Sequence, residues 1–275
     1  MNIFNLLKEI EKADPEVYGR LDSRRAVFKH FGGFGKKLAA AAVPLAFGAM
    51  LNKAYGQTSS RSVMDVLQFA LLLENLEAEF YKQAVATSLF PAPAGKMAFE
   101  TIRDHEVAHV AFLRSAITGA NGTPTNYTAN SFDYSAKGNL PNTFTDYGTM
   151  LAVAQAFDDT GVRAYKGQAP FLISNNAVLE AALQIHSVEA RHAAHIRRMR
   201  RDLASSSANQ KPWITLKDRG GLPALVQPIY DGEEITTQAG VNIATGNVSA
   251  NAASEAFDEP LDTAQVTAIV SPFLR

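Results

Sequence analysis

Glu106-Val107-Ala108-His109 and Glu189-Ala190-Arg191-His192 decide the reading of this chain. Residues three apart on a helix share a face within one turn. A carboxylate and an imidazole at that spacing are able to hold one metal ion, with the second carboxylate oxygen left to reach another. A single such pair carries little weight, because Glu and His often fall three apart on a solvated face. Here both pairs belong to an internal repeat. Glu74 is followed after seven residues by Tyr81, and Glu106 comes 25 residues after that tyrosine. Asp158 is followed after seven residues by Tyr165, and Glu189 comes 24 residues later. Acid, tyrosine and Glu-x-x-His therefore recur in both halves, so that two helices offer one carboxylate each and two offer a Glu-x-x-His each toward a common axis.

The flanking sequence supplies those helices. Val63, Val66, Leu67, Ala70, Leu71 and Leu73 recur at helical spacing, with Ser62 and Asp65 for capping, and Pro91 and Pro93 end the segment. This predicts a helix over 62–88. A second is expected over 94–118, stopped by Gly119 and Gly122, and 119–144 reads as a long irregular connection. A third is expected over 146–166, ending at Gly167 and Pro170, and a fourth over 176–203. Two helix pairs joined by one long crossover predict an all-α four-helix bundle over 58–204. Residues 205–275 carry little core-forming material, with β-prone pieces such as Leu225-Val226-Gln227-Pro228-Ile229-Tyr230 and a last short helix over 261–273. They are read as an extension packed on the bundle.

Residues 1–57 have a different character. Ser23-Arg24-Arg25-Ala26-Val27-Phe28-Lys29 resembles a twin-arginine export motif, and the apolar run over 38–51 has the length of a signal h-region. Ala54 and Gly56 put small residues ahead of a cleavage before Gln57. The expected location is outside the cytoplasm, in the periplasm or its equivalent, with a membrane tether as the outcome if the segment is retained. The competing reading is a cytoplasmic protein whose N-terminal helix packs on the domain.

Composition narrows the chemistry. The chain has no cysteine, which removes disulfides, iron–sulfur clusters and thiolate zinc sites. Any metal is held by oxygen and imidazole, a donor set that suits iron, manganese, zinc or copper. With 26 Lys and Arg against 27 Asp and Glu there is no basic excess, and no nucleic-acid partner is expected.

The repeat resembles the ferritin-like superfamily, which includes bacterioferritin, rubrerythrin and manganese catalase. Leu73-Glu74-Asn75-Leu76-Glu77-Ala78-Glu79-Phe80-Tyr81 is similar to the first-helix signature of the exported ferritin-like proteins grouped with plant desiccation-related proteins. Asp159-Thr160-Gly161-Val162-Arg163-Ala164-Tyr165 and Ala253-Ser254-Glu255-Ala256-Phe257-Asp258-Glu259-Pro260-Leu261 are similar to other stretches of that group. The resemblance implies Glu74, Glu106, His109, Asp158, Glu189 and His192 as ligands of two transition-metal ions, iron or manganese with zinc as a further candidate. Glu106 and Glu189 would bridge. Tyr81 and Tyr165 would stand behind the ligands and orient carboxylates by hydrogen bonds. Glu77, one turn from Glu74, is read as an outer or structural partner, with a direct ligand as the alternative. No catalytic residue is assigned beyond the ligands. The third-helix ligand is usually glutamate in the superfamily, and Asp158 is one methylene shorter. Asp159 lacks the seven-residue spacing to Tyr165 and is not preferred.

Other residues carry weaker expectations. His105 is read as structural, since its neighbour Glu106 points about a hundred degrees away on a helix. His186 and His195 are weighed as outer partners against solvated or core histidines. Arg197, Arg198, Arg200 and Arg201 read as a solvated basic helix end, and Arg103 and Arg191 as candidates to neutralise buried carboxylates. The expected activity is that of a redox-active dinuclear protein acting on dioxygen or peroxide, as an oxidase or catalase-like oxidoreductase. The alternative is a stress- or desiccation-associated structural or binding protein whose metal site stabilises the bundle or is vestigial. Iron storage ranks last, because the long tail does not suit a compact cage subunit. Homo-oligomerisation is left open.

Overall fold

The computed structural model describes residues 61–203, 209–238 and 240–275. The export segment expected over 1–57 lies outside them. Among the described residues no helix is long and apolar enough to cross a membrane.

Four long helices make the bundle: α1 Val63–Val85, α2 Pro93–Gly119, α3 Tyr147–Gln168 and α4 Asn176–Leu203. Local chemistry sets their starts. The Ser62 side chain accepts from the Asp65 backbone N–H while Asp65 returns a bond to the Ser62 N–H, closing a reciprocal cap on α1. Pro93 occupies the first turn of α2, where its missing N–H costs nothing. Asp146 caps α3 by accepting from the Thr149 N–H at 2.7 Å. α1 packs along α2 and α3 along α4, and the two hairpins meet through α1 against α3 and α2 against α4. The long crossover between α2 and α3 is the connectivity that the helix spacing predicts.

The interior is closed by Leu71, Leu76, Phe80, Phe99, Ile117, Met150 and Leu151, all essentially inaccessible. Burying one such side chain stabilises the fold by about 1.5–3 kcal/mol. Phe80 meets Tyr81 and Phe157 edge to face, at ring separations of 5.1 and 5.4 Å, and so packs the core beside the first tyrosine of the repeat.

α3 is the most deeply buried helix: residues 153–165 are buried without exception. The C-terminal residues cover the face that a surface helix would leave to solvent. They include a 3-10 turn Ala224–Ile229, a two-residue antiparallel ribbon of β1 Thr237–Gln238 and β2 Val241–Asn242, and two short helices, α5 Ala250–Ser254 and α6 Thr263–Val270. The β-prone stretch 225–230 is a 3-10 turn, a difference explained by Pro228, which has no N–H for a strand ladder. Gly167 does not stop α3. The helix runs through it, and a Cβ there would stand 1.9 Å from the Leu261 carbonyl oxygen. Only glycine permits the tail to approach that closely, and the Leu261 N–H donates to the Arg163 carbonyl at 3.1 Å. The last residues return to the crossover, where Phe132 and Leu274 form an antiparallel bridge.

Candidate metal centre

Each helix of the bundle sends one element of the repeat toward the axis. Glu74 and Glu77 come from α1, Glu106 and His109 from α2, Asp158 from α3, and Glu189 and His192 from α4. Glu74, Glu106, Asp158 and Glu189 are completely buried, with Glu77 and His192 at 4% exposure. Five carboxylates sharing so small a volume cannot all stay charged unless cations balance them.

Among the described residues their ligand atoms fall into two groups that share Glu189. One is Glu74, Glu106, His109 and Glu189; the other is Glu77, Asp158 and Glu189; within each, the atoms all lie within 4.8 Å of one another. His109 Nδ1 lies 3.0 Å from Glu74 Oε2, 3.2 Å from Glu106 Oε2 and 3.4 Å from Glu189 Oε1. His192 is in neither group. Its Nδ1 stands 2.9 Å from Glu106 Oε1 and 3.6 Å from Glu189 Oε2, both poorly aligned for a hydrogen bond, so it borders the cluster.

The tyrosines cross between the halves. Tyr81 of α1 donates to Asp158 of α3, its hydroxyl 2.9 and 3.0 Å from the two carboxylate oxygens. Tyr165 of α3 donates to Glu74 Oε1 of α1 at 2.5 Å. Each half of the repeat thereby orients the other half's acid. Burial, and then the carboxylate beside it, pushes each phenol well above its ordinary value, so both remain donors.

The electrostatics are those of a site that holds protons in place of cations. Burial pushes Glu74, Glu77 and Asp158 well above the carboxylate range, with neighbouring acids adding to the effect. Burial also opposes ionisation of Glu106, but the hydrogen bond from His109 and the His192 imidazole close beside it outweigh that and hold the group at about 2. Burial pulls both imidazoles down, and the carboxylates around them raise His109 to about 12 and His192 to about 11.

Glu106 Oε1, both oxygens of Glu189 and His192 Nδ1 are buried without a hydrogen-bond partner. Buried polar atoms are almost always paired. Orphaned oxygen and imidazole donors converging on one axis fit metal ions, which bind through those lone pairs.

Several neighbours differ from the sequence reading. His105, expected to point away, accepts or donates a 2.9 Å hydrogen bond between its Nδ1 and His192 Nε2, and the two rings stack at 5.2 Å. The relevant spacing was to His109, four residues on and so on the same face, not to adjacent Glu106. Arg197 is not on a solvated basic face. It is 2% exposed and pairs bidentately with Asp159 at 3.0 and 2.8 Å. That pairing, with a 2.7 Å bond from the Tyr230 hydroxyl, takes Asp159 away from the metal cluster and leaves Asp158 to it. Arg103 pairs with Asp104 on the surface and Arg191 is exposed, so neither neutralises the buried acids. His186 bonds the Val162 carbonyl at 3.0 Å, joining α4 to α3, and His195 is exposed.

A family model described as a ferritin-like domain matches residues 62–202. The chain belongs to the ferritin-like superfamily. The match runs from the N-cap of α1 almost to the end of α4, taking in every residue of the cluster. No curated protein and no solved structure matches the chain. In this ferritin-like bundle the buried acidic and imidazole cluster is a site compatible with metal.

Proposed function

We propose that the cluster holds a pair of transition-metal ions, iron or manganese, and that the protein reacts through them with dioxygen or peroxide. The observation that carries this reading is the set of orphaned, fully buried donors: Glu106 Oε1, Glu189 Oε1 and Oε2, and His192 Nδ1. A merely structural acidic cluster would be paired with arginine, and among the described residues the buried arginines are committed elsewhere, Arg197 to Asp159 and Arg163 to Glu233. Such ions, when bound, exchange electrons with dioxygen or peroxide, and bridging carboxylates tolerate the change in oxidation state.

The chain's own residues define how that chemistry would proceed. Glu189, shared by both ligand groups, ties the two positions together, and Glu106 stands between His109 and His192. Tyr81 and Tyr165 fix the orientations of Asp158 and Glu74. His109, with its side chain 11% exposed, is the least buried of the cluster's residues and lies one turn from exposed His105 on α2. Export as a folded, metal-loaded protein through a twin-arginine route belongs to the same proposal, on the strength of Arg24 and Arg25 and the apolar run behind them.

A second reading, in which metal only stabilises the bundle, draws on the same burial. Neutralising five clustered acids favours the fold with or without turnover. The two are separated by adding hydrogen peroxide to iron- or manganese-loaded protein and following oxygen evolution and the absorbance of the metal. Repeated turnover supports the redox reading. A rise in melting temperature on loading, with no reaction toward peroxide or dioxygen, supports the stabilising one.

A further inference from the structure

Under the internal repeat, Glu77 on α1 corresponds to Gly161 on α3. Each follows its helix's acid by three residues and precedes its tyrosine by four. The two positions also meet in space. A Cβ at Gly161 would lie 3.2 Å from Glu77 Oε1 and 3.4 Å from Glu189 Oε2. The side chain missing from α3 is therefore the room taken by the carboxylate that α1 supplies. Gly161 lies in the interior of a helix, where glycine is unfavourable relative to alanine. That cost is understandable if an alanine methyl would crowd the two acids.

Resting on the dinuclear reading above, we propose that Glu77 is a direct metal ligand, beyond the six that the repeat supplies, and that Gly161 is the gap that admits it. Three observations converge. Glu77, Asp158 and Glu189 bring their oxygens within 4.8 Å of one another. Both oxygens of Glu189, which is fully buried, lack hydrogen-bond partners. Asp158 reaches one methylene less far than a glutamate would, and its carboxylate is held back by the Tyr81 hydroxyl at 2.9 and 3.0 Å. Glu77 makes up the donor that the short acid leaves wanting.

The two metal positions are then chemically unlike. His109 lies within one group, whereas the close-set atoms of the other are carboxylates that His192 only borders, its Nδ1 3.6 Å from Glu189 Oε2. Carboxylate oxygen suits hard ions such as Mn2+, and imidazole suits iron and later metals. The Glu77 position therefore depends on a single α1 side chain that has no counterpart in the other half.

The test is an anaerobic Mn2+ titration of the full chain, read by elemental analysis after desalting and by low-temperature electron paramagnetic resonance. Wild type is expected to retain about two ions and give the spectrum of a coupled pair. Glu77→Gln is expected to retain about one, with the hyperfine signal of an isolated Mn2+, and to bind the second about tenfold or more weakly. Adding Asp158→Glu to that variant restores the second ion, because the longer acid reaches where Glu77 did. Gly161→Ala weakens the same ion to a smaller degree, and it carries the test by the same readouts should Glu77→Gln fail to fold in far-UV circular dichroism. Two ions at wild-type affinity with a coupled spectrum in Glu77→Gln would overturn the proposal. A wild-type protein that takes up no metal would instead remove the dinuclear reading on which it stands.

Discussion

The two halves of the bundle offer the same tyrosine and the same Glu-x-x-His, yet they sit in different surroundings. α1 is buried along 73–78 and reaches solvent along a narrower edge, where Glu79 and Lys82 form a 2.7 Å pair. α3 is sealed by the C-terminal residues along 153–165. The half that carries the larger acids, Glu74 and Glu77, is the less covered one. The half reduced to Asp158 and Gly161 is held by Arg163 and Arg197, which reach out of the bundle to the tail. Arg163 is paired to Glu233 at 2.7 Å and bonded to the Glu259, Ile229 and Asp231 carbonyls. Both halves thus provide donors, but the second is the one anchored to the tail through buried arginines.

That division is most exposed at Arg197. Removing one partner of a buried ion pair strands the other, so Arg197→Ala is expected to lower unfolding free energy by about 3–5 kcal/mol in urea denaturation. Arg103→Ala, which breaks a surface pair with Asp104, should change it by about 1 kcal/mol or less. Similar effects from the two would mean that the tail does not anchor α3.

The tyrosines sharpen the comparison at the site. Tyr165→Phe and Tyr81→Phe are each expected to weaken metal binding about tenfold in a competition titration with a chromogenic chelator, with the fold intact. The first acts on the Glu74 and His109 group, the second on Asp158. An unchanged affinity in either would remove the crossed hydrogen bonds from the account.

The smallest effect is on pH dependence. Glu74, Glu77 and Asp158 titrate above their unfolded values, as do His109 at about 12 and His192 at about 11. The metal-free folded chain therefore holds protons that the unfolded chain gives up. The stability these groups add is complete below their unfolded values and is lost as pH rises through the folded ones. Glu106, held at about 2, acts oppositely and loses its contribution only as pH falls toward that value. The melting temperature of metal-free protein is expected to fall by a few degrees from about pH 6 to about pH 9. Loaded protein should not follow, because metal takes the place of the protons. A metal-free melting temperature that rises over that range would contradict the protonated cluster.

Much of this was legible in residue identity and spacing. Acid, tyrosine and Glu-x-x-His name a side chain that must face the axis, and helical geometry does the rest; the bundle, its long crossover and the convergence of Glu74, Glu106, His109, Asp158 and Glu189 all follow. What escaped depends on neighbours distant in the chain. Glu77 reads as an outer or structural partner, with a direct ligand as the alternative, until Gly161, 84 residues later, is seen to leave it room. Gly167 reads as a helix stop until the Leu261 carbonyl is found against it. Arg197 sits in a run of arginines whose burial is decided by Asp159 and Tyr230 on other elements. His105 alone carried a local signal, its four-residue spacing to His109.

The central claim is that both halves of the repeat build one dinuclear metal centre, and metal content tests it most directly. Protein purified without a metal-binding tag, and the Glu106→Ala/Glu189→Ala double variant, would be compared by elemental analysis before and after loading with iron or manganese. The account predicts about two ions per chain in the wild type and none retained by the double variant, with both proteins helical. Wild-type protein that retains no stoichiometric metal even after loading would contradict it.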